Sequence, residues 1–174
     1  MVLTDKPIPG SYWVLAGRLL AGEYPASRDE ASTRLILAAF LAAGFDTFLD
    51  LTNPDERPNY EPLLQAEAHR LARRVDYRRF AFPDFSVPDP LAMTDALDAL
   101  DAALGRGAKV YLHCVGGIGR TGMTVGCYLV RHGRGGRQAL EELSSMYRTS
   151  AQSAFSPLSP ENGRQAAFVR DWRE

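Results

Sequence analysis

The stretch VYLHCVGGIGRTGMTV, residues 110–125, decides the fold because it passes from a strand into a helix through a glycine-rich loop. The apolar run Val110–His113 predicts a buried strand, and a helix is expected over residues 121–132. The five residues between Cys114 and Arg120 include three glycines. A strand joined to a helix in this way is the building unit of an α/β sheet.

Each part of this loop favours bound negative charge. Glycines allow successive backbone N–H groups to turn toward one point, and the following helix adds the positive end of its dipole. Arg120 can hold a phosphate through two parallel hydrogen bonds, which lysine cannot reproduce. The same surroundings favour the thiolate form of Cys114, the nucleophilic form of a cysteine. The predicted phosphate-binding residues are Val115, Gly116, Gly117, Ile118, Gly119 and Arg120.

Strands alternate with helices on both sides of the loop. Two short strands or one edge hairpin are expected in residues 1–26, and further strands at Phe45–Leu51 and Asp76–Phe80. Helices are expected at Ser27–Gly44, Leu63–Arg74, Asp89–Gly105, 137–148 and from Ser159 onward, with capping signals at Ser27, Gly44, Asp89 and Ser159. The pattern predicts one α/β domain over residues 1–174, with a mostly parallel, twisted central sheet of about four to five strands flanked by helices.

The composition restricts the partners of the protein. The chain has 174 residues, 20 Lys plus Arg and 21 Asp plus Glu, which argues against nucleic acid or a membrane surface held by bulk charge. No run approaches the roughly 18 apolar residues of a membrane span, and the N-terminus lacks a secretory pattern, so a cytoplasmic location is expected. Two cysteines and three scattered histidines suggest neither a disulfide framework nor a zinc site.

The motif His-Cys-x5-Arg-Thr at residues 113–121 resembles the signature of cysteine-based protein phosphatases, both tyrosine-specific and dual-specificity. The chain length is similar to that of the small members, and the early glycine-rich strands, the Pro-Asp loop and the C-terminal Ser-Pro…Gln…Phe-Val…Trp pattern resemble bacterial members. The resemblance implies hydrolysis of phosphomonoesters on phosphorylated protein through a phosphocysteine intermediate. It implies Cys114 as nucleophile, no metal or other cofactor, a phosphorylated protein or peptide as partner, and a monomer.

The resemblance also implies an acid on an upstream loop, and two aspartates compete for that role. Asp89 precedes Pro90 and is explained as the cap of a helix. Asp84 lies in the Phe-Pro-Asp stretch that is similar to the acid loop of the family, and the alternative is a simple turn aspartate. Phe82, Phe85 and Val87 flank Asp84 and are expected to form apolar walls for a phosphotyrosine ring.

Three further residues are auxiliary candidates. His113 is expected to order the loop from a buried, hydrogen-bonded position. Thr121 either donates its hydroxyl to the sulfur of Cys114 or bonds to backbone at the start of the helix. Gln165 either positions the hydrolytic water, as in some family members, or lies at the edge of the core. Cys127 is expected to be a packed core residue, and the alternative is a redox partner of Cys114.

Four alternatives remain beside this interpretation. A phosphoinositide phosphatase of the same fold often carries lysines inside the loop, whereas residues 115–119 carry no charge. Arsenate reductases and low-molecular-weight tyrosine phosphatases have the motif near the N-terminus, and a sulfurtransferase fits the His-Cys…Arg-Thr frame poorly. A non-catalytic module that reads phosphorylated partners would usually have lost the cysteine, the arginine or the acid, and all three candidates are present here.

Overall fold

One five-stranded sheet organises the molecule, and the computed structural model describes residues 6–174 of the chain. The strands are β1 (Ser11–Leu15), β2 (Leu19–Gly22), β3 (Thr47–Asp50), β4 (Asp76–Arg79) and β5 (Val110–His113). Their order across the sheet is β1-β2-β5-β3-β4. The β1–β2 pair is antiparallel and the other three pairs are parallel, so the predicted α/β domain with a mostly parallel sheet is confirmed.

Helices cover both faces of this sheet. They are α1 (Glu30–Ala42), α2 (Glu61–Arg70), α3 (Pro90–Gly105), α4 (Gly119–Arg131), α5 (Gly136–Tyr147) and α6 (Gly163–Arg170), with a short 3-10 turn at Ala151–Ala154. Leu20, Phe48 and Tyr111 pack with α1 and α2. Their strand neighbours, such as Leu19 and Leu112, point to the opposite face and pack with α3 to α6.

The central strand β5 positions the glycine-rich loop. It is buried along its length and has a parallel strand on each side, β2 and β3. Parallel strands end at the same edge of a sheet, and ligands of open α/β sheets bind at that edge. The loop that follows β5 therefore lies beside the segments that follow β2 and β3.

Two predicted helix caps are wrong. Asp29, not Ser27, caps α1, since its Oδ1 accepts a hydrogen bond from the Ser32 backbone N–H at 2.8 Å. The last helix begins at Gly163, and its cap is Asn162, whose Oδ1 accepts from the Gln165 N–H at 3.0 Å. Ser159 instead donates its hydroxyl to the carbonyl of Ile118 at 2.8 Å, so it supports the loop rather than a helix.

The second helix also ends earlier than the predicted Arg74. α2 ends at Arg70 because Ala72 adopts a left-handed backbone conformation, with a φ of 51°. The Arg73 N–H then donates to the carbonyl of Ala68 at 2.8 Å, which closes the helix end. Asp89 caps α3 as predicted, and its Oδ1 accepts from the Leu91 N–H at 2.8 Å.

Candidate active site

The glycine-rich loop connects β5 to α4 and packs against the end of β2. Cys114 directly follows β5 and is 3% exposed. Gly117 has a φ of +71°, and a Cβ there would overlap the backbone of Gly22, so a side chain is excluded on both grounds. The carbonyl of Val115 accepts a hydrogen bond from the Tyr24 N–H at 2.9 Å. The loop is thus fixed by contacts with Gly22 and Tyr24 as well as by its connections to β5 and α4.

Arg120 stands at the other end of the loop, in the first turn of α4, and is 1% exposed. Its Nη1 and Nη2 donate to the two carboxylate oxygens of Glu56 at 2.7 and 2.8 Å. Nη1 also donates to the carbonyl of Phe82 at 3.3 Å, and Nη2 lies 3.2 Å from Asp84 Oδ1. Nε has no hydrogen-bond partner within residues 6–174, so this edge of the fork is available to an oxyanion.

Glu56 is the group that fixes the guanidinium. Burial alone would raise the pKa of Glu56, but hydrogen bonds from Arg120 and Asn53 outweigh that effect and lower the pKa to about 2. The Asn53 backbone N–H donates to the same carboxylate at 3.0 Å. At neutral pH the glutamate is therefore ionised, and a bidentate ion pair keeps the arginine fork in one orientation.

Only one of the two candidate aspartates lies near Arg120. Asp84 is in the loop before α3, with a side chain that is 45% exposed, and its Oδ1 also accepts from the Phe85 N–H at 3.1 Å. Asp89 caps α3 instead. Of the expected apolar walls, Phe82 is buried and contributes its carbonyl to Arg120, so it cannot contact a substrate ring. Phe85 is 68% exposed and is available to do so.

His113 is fully buried and binds on both sides of its ring. Nδ1 lies 3.1 Å from the carbonyl of Cys114, and Nε2 lies 2.7 Å from the hydroxyl of Tyr60. Since a carbonyl only accepts, Nδ1 carries the proton and Nε2 accepts from the tyrosine. Burial lowers the pKa of His113, although the nearby Asp50 opposes the change. The neutral imidazole therefore orders the backbone of the cysteine.

Thr121 and Gln165 are both buried. The Thr121 hydroxyl has no hydrogen-bond partner in the described part of the chain. Gln165 Nε2 donates to the carbonyl of Ser86 and to Glu161 Oε1, each at 3.3 Å. A Cβ on Gly119 would lie 3.0 Å from this nitrogen and would overlap the Glu161 carboxylate, so both side chains reach the loop.

Sequence reasoning missed Glu56, Tyr60 and Glu161. Glu56 and Tyr60 lie in the segment after β3. Because ligands of open α/β sheets bind beyond the carboxyl ends of the strands, that position could have marked both as candidate site residues. Glu161 precedes α6, where no local pattern distinguishes it. Cys127 packs in the core as predicted, and burial raises the pKa of its thiol.

Two other features are absent from residues 6–174. These residues contain no group of three or more His, Cys, Asp or Glu side chains placed to hold a metal ion. No helix in the same range is both long and apolar enough to cross a bilayer.

Known proteins resemble this chain in sequence and in fold. "Protein tyrosine phosphatase domain-containing protein 1" of Mus musculus is 30% identical over 135 residues, which are 72% of this chain and 18% of that protein. The Arabidopsis thaliana "Phosphatidylinositol 3,4,5-trisphosphate 3-phosphatase and protein-tyrosine-phosphatase PTEN1" is 27% identical over 164 residues, 92% of this chain and 37% of that protein. The chain thus spans well under half the length of these curated relatives.

Solved structures agree on the architecture. Tk-PTP in its active form has a TM-score of 0.73 at 22% identity and covers 94% of this chain and 95% of its own. Kinase associated phosphatase has a TM-score of 0.73 at 15% identity, with 93% and 91% covered. Residues 9–169 match the family described as "Swiss Army Knife protein, DSP-PTPase phosphatase domain". Since that match covers most of the chain, the protein belongs to this family of dual-specificity and tyrosine phosphatase domains.

Proposed function

We propose that this phosphatase hydrolyses phosphomonoesters on phosphorylated protein, phosphotyrosine foremost, through a phosphocysteine intermediate. The observation that carries the proposal is a loop with a buried cysteine at one end and a buried, fixed arginine at the other. Because Glu56 sets the guanidinium before any substrate arrives, no reorganisation is needed as charge develops. Such preorganisation is the main source of electrostatic catalysis.

In the first step, the Cys114 thiolate attacks phosphorus in line with the leaving oxygen. The bond from phosphorus to that oxygen breaks, and its electron pair moves to the oxygen. Protonated Asp84 transfers its proton to the same oxygen. Arg120 and the backbone N–H groups of residues 115–119 bind the three equatorial oxygens, so the positive charge comes from the protein itself.

In the second step, water attacks the phosphorus of phosphocysteine and inorganic phosphate leaves. The phosphorus–sulfur bond breaks, and its electron pair returns to Cys114 as a thiolate. The Thr121 hydroxyl, buried at the start of α4, would donate to the sulfur and ease this departure. A carboxylate must accept the proton of the water, and Asp84, ionised by the first step, is one such group.

Phosphorylated protein fits the site better than a phosphoinositide does. The loop interior, residues 115–119, offers backbone amides and no charged side chain, which suits one phosphate group. The exposed ring of Phe85 stands beside Asp84, where an aromatic leaving group would lie. The names of the mouse relative and of "Dual specificity protein phosphatase CDC14B" point to the same substrate class.

One cavity favours a second candidate, a substrate with more than one phosphate. A space of about 350 Å³ adjoins the loop at Val115, and Arg28 and Arg57 line it. Neither arginine forms an ion pair within residues 6–174. Glu23 also lines the cavity and reduces its positive charge. The Arabidopsis relative carries both activities in its name.

The Cys114→Ser variant tests the mechanism. A serine hydroxyl stays neutral at working pH, so turnover of p-nitrophenyl phosphate should be lost while the fold and the binding of an anion such as phosphate survive. Vanadate should inhibit the parent competitively, and EDTA should leave its rate unchanged. Substantial activity in the serine variant, or loss of activity with EDTA, would falsify the proposal.

A phosphate-release assay on three substrate groups tests the substrate class. We expect kcat/KM to be highest for phosphotyrosine peptides and lower for phosphoserine and phosphothreonine peptides, whose shorter side chains reach less far into the site. Phosphoinositides should be the poorest group. If they are preferred, and if Arg28→Gln and Arg57→Gln together remove that preference, the second candidate replaces the first.

A further inference from the structure

Besides Glu56, another carboxylate, that of Glu161, lies against the phosphate-binding loop, at Gly119. A Cβ on Gly119 would overlap the Glu161 carboxylate, so that carboxylate fills the space that the missing side chain leaves. Glu56, by contrast, contacts Arg120 and Asn53. The two glutamates therefore have different surroundings, one paired with the arginine and the other beside the last loop residue.

Gln165 places a hydrogen-bond acceptor, its side-chain oxygen, near Glu161. Its Nε2 faces two acceptors, the carbonyl of Ser86 and the carboxylate of Glu161. Reversing the amide would place oxygen against oxygen at both contacts, so the orientation is fixed by its partners. Its Oε1 is buried without a partner in the described part of the chain. A buried amide oxygen without a donor is costly, and a water molecule can supply that donor.

The segment that holds these two side chains is also tied to the loop of Asp84. Asn162 Nδ2 donates to the carbonyl of Phe85 at 3.1 Å, and Gln165 reaches Ser86 in the same loop. Asp84 itself lies 3.2 Å from Arg120 Nη2. The site thus has two carboxylates besides Glu56, one near the arginine and one beside Gly119.

In some members of the family a glutamine positions the hydrolytic water, and the buried, unpartnered Oε1 of Gln165 suits that role. We infer that Glu161 is the general base of the second step and accepts one proton of the water, whose other hydrogen is bound by Gln165. The inference rests on the proposed function, because a second step exists only if phosphocysteine forms. The water oxygen forms the new bond to phosphorus while its proton passes to a Glu161 carboxylate oxygen. The phosphorus–sulfur bond breaks, its electron pair stays on Cys114, and Glu161 later releases the proton to solvent.

The surroundings of Glu161 suit a base. Burial raises the pKa of Glu161 more than the hydrogen bond from Gln165 lowers it, and the charge of Asp84 adds to the increase. A base with a raised pKa holds a proton more strongly. The other groups that interact electrostatically with Glu161 are Arg120, which opposes the increase, and the hydroxyl of Tyr147. Asp84, on its exposed loop, then keeps the task of protonating the leaving oxygen.

Rapid-quench kinetics of Glu161→Gln on p-nitrophenyl phosphate tests this division of labour. The burst of p-nitrophenol should keep a rate near that of the parent, because the first step does not use Glu161. Steady-state turnover should fall by about 10², within the usual contribution of a general base. Mass spectrometry of the quenched protein should then find phosphoryl groups accumulating on the peptide that contains Cys114.

The pH dependence of phosphocysteine hydrolysis gives an independent readout. In the parent this rate should rise with pH and level off once Glu161 is ionised, and in Glu161→Gln the rise should be absent. Glu141→Gln, at an exposed position of α5, is the matched control and should behave like the parent. Vanadate affinity reports whether each variant keeps its loop. If Glu161→Gln does not fold, Glu161→Asp retains a carboxylate farther from the water and should still accumulate phosphocysteine.

The outcomes distinguish failure of the proposed function from failure of the role of Glu161. If the parent never forms phosphocysteine, the proposed function itself fails. If the parent forms it but Glu161→Gln slows burst and steady state together, without accumulation, Glu161 has only a structural role and the inference is overturned. Accumulation in Asp84→Asn instead of Glu161→Gln would assign the second proton transfer to Asp84.

Discussion

Glu56→Gln is the substitution that most directly tests how the arginine fork is held. Glutamine keeps the size of the side chain but replaces one carboxylate oxygen with an amide NH₂, which faces a guanidinium that only donates. Arg120 is 1% exposed. In the variant its partners would be one amide oxygen in place of a carboxylate, the carbonyls of Phe82 and Leu51 at 3.3 and 3.5 Å, and the exposed Asp84. We therefore expect a loss of stability together with a loss of activity.

The size of the stability loss follows from the ionisation of Glu56. The pKa of Glu56 falls from 4.5 to about 2 in the folded protein. Each pKa unit corresponds to about 1.4 kcal/mol, so the ionised side chain contributes at most about 3.5 kcal/mol. The carboxylate is 22% exposed, so solvent screens part of this energy and we expect a loss of about 2 kcal/mol at pH 7.

The pH dependence has a definite sign. Because the pKa of Glu56 is lower in the folded than in the unfolded state, its contribution is complete well above pH 4.5 and is lost as the pH falls through about 2. Urea denaturation of the parent and of Glu56→Gln should therefore give a larger difference at pH 7 than at pH 3. A difference of equal size at both values would refute the argument. Asp55→Asn, at the exposed neighbouring position, is the control.

The remaining predictions concern catalysis. Asp84→Asn should lower kcat by about 10²–10⁴, the usual contribution of a general acid, whereas Asp89→Asn should be nearly silent because asparagine also caps α3; pH–rate profiles of the two variants decide which aspartate is the acid. Arg120→Lys keeps the charge but loses the fork, so kcat should fall more than KM rises. Near-parent kinetics in the lysine variant would show that the arginine acts only as a point charge.

The general architecture could be predicted because it follows from local patterns. The run Val110–His113 is apolar and short, which predicts a buried strand, and the structure has β5 at those four residues. The spacing of Met93, Leu97, Leu100 and Leu104 predicts one face of α3, and all four side chains are buried. Strand and helix periods are properties of neighbouring residues, so no knowledge of the fold is needed to read them.

Helix caps were predicted less well, for a physical reason. Ser27 and Asp29 can both accept a hydrogen bond at a helix start, and the choice depends on where the chain enters the helix. The Thr33 hydroxyl accepts from the Ser27 backbone N–H at 3.1 Å and donates to the Ser27 carbonyl at 3.3 Å. Ser27 is thus held before the helix, and Asp29 caps it. Ser159 has a tertiary partner, Ile118, 41 residues away in sequence. The spacing of capping residues along the chain indicates neither the Thr33–Ser27 contact nor the Ser159–Ile118 contact.

Glu56 and Glu161 were also missed, because their contacts join residues that are far apart in sequence. The preference of the loop for a bound anion could be inferred from the sequence, because the glycines, the start of a helix and Arg120 are adjacent there. Glu56 is 64 residues from the arginine that it holds, and only the end of β3 brings the two together. Glu161 reaches Gly119 because α6 packs on α4.

Different surroundings are what allow several acids to serve one reaction. Glu56 is fully engaged by Arg120, so it orients the fork and has no oxygen to spare for proton transfer. Asp84 is on an exposed loop and reaches the same arginine from the solvent side, where a leaving group would depart. Glu161 is partly buried beside a buried amide oxygen, where a water can be held. In the mechanism that we propose, environment rather than residue type therefore assigns the three tasks.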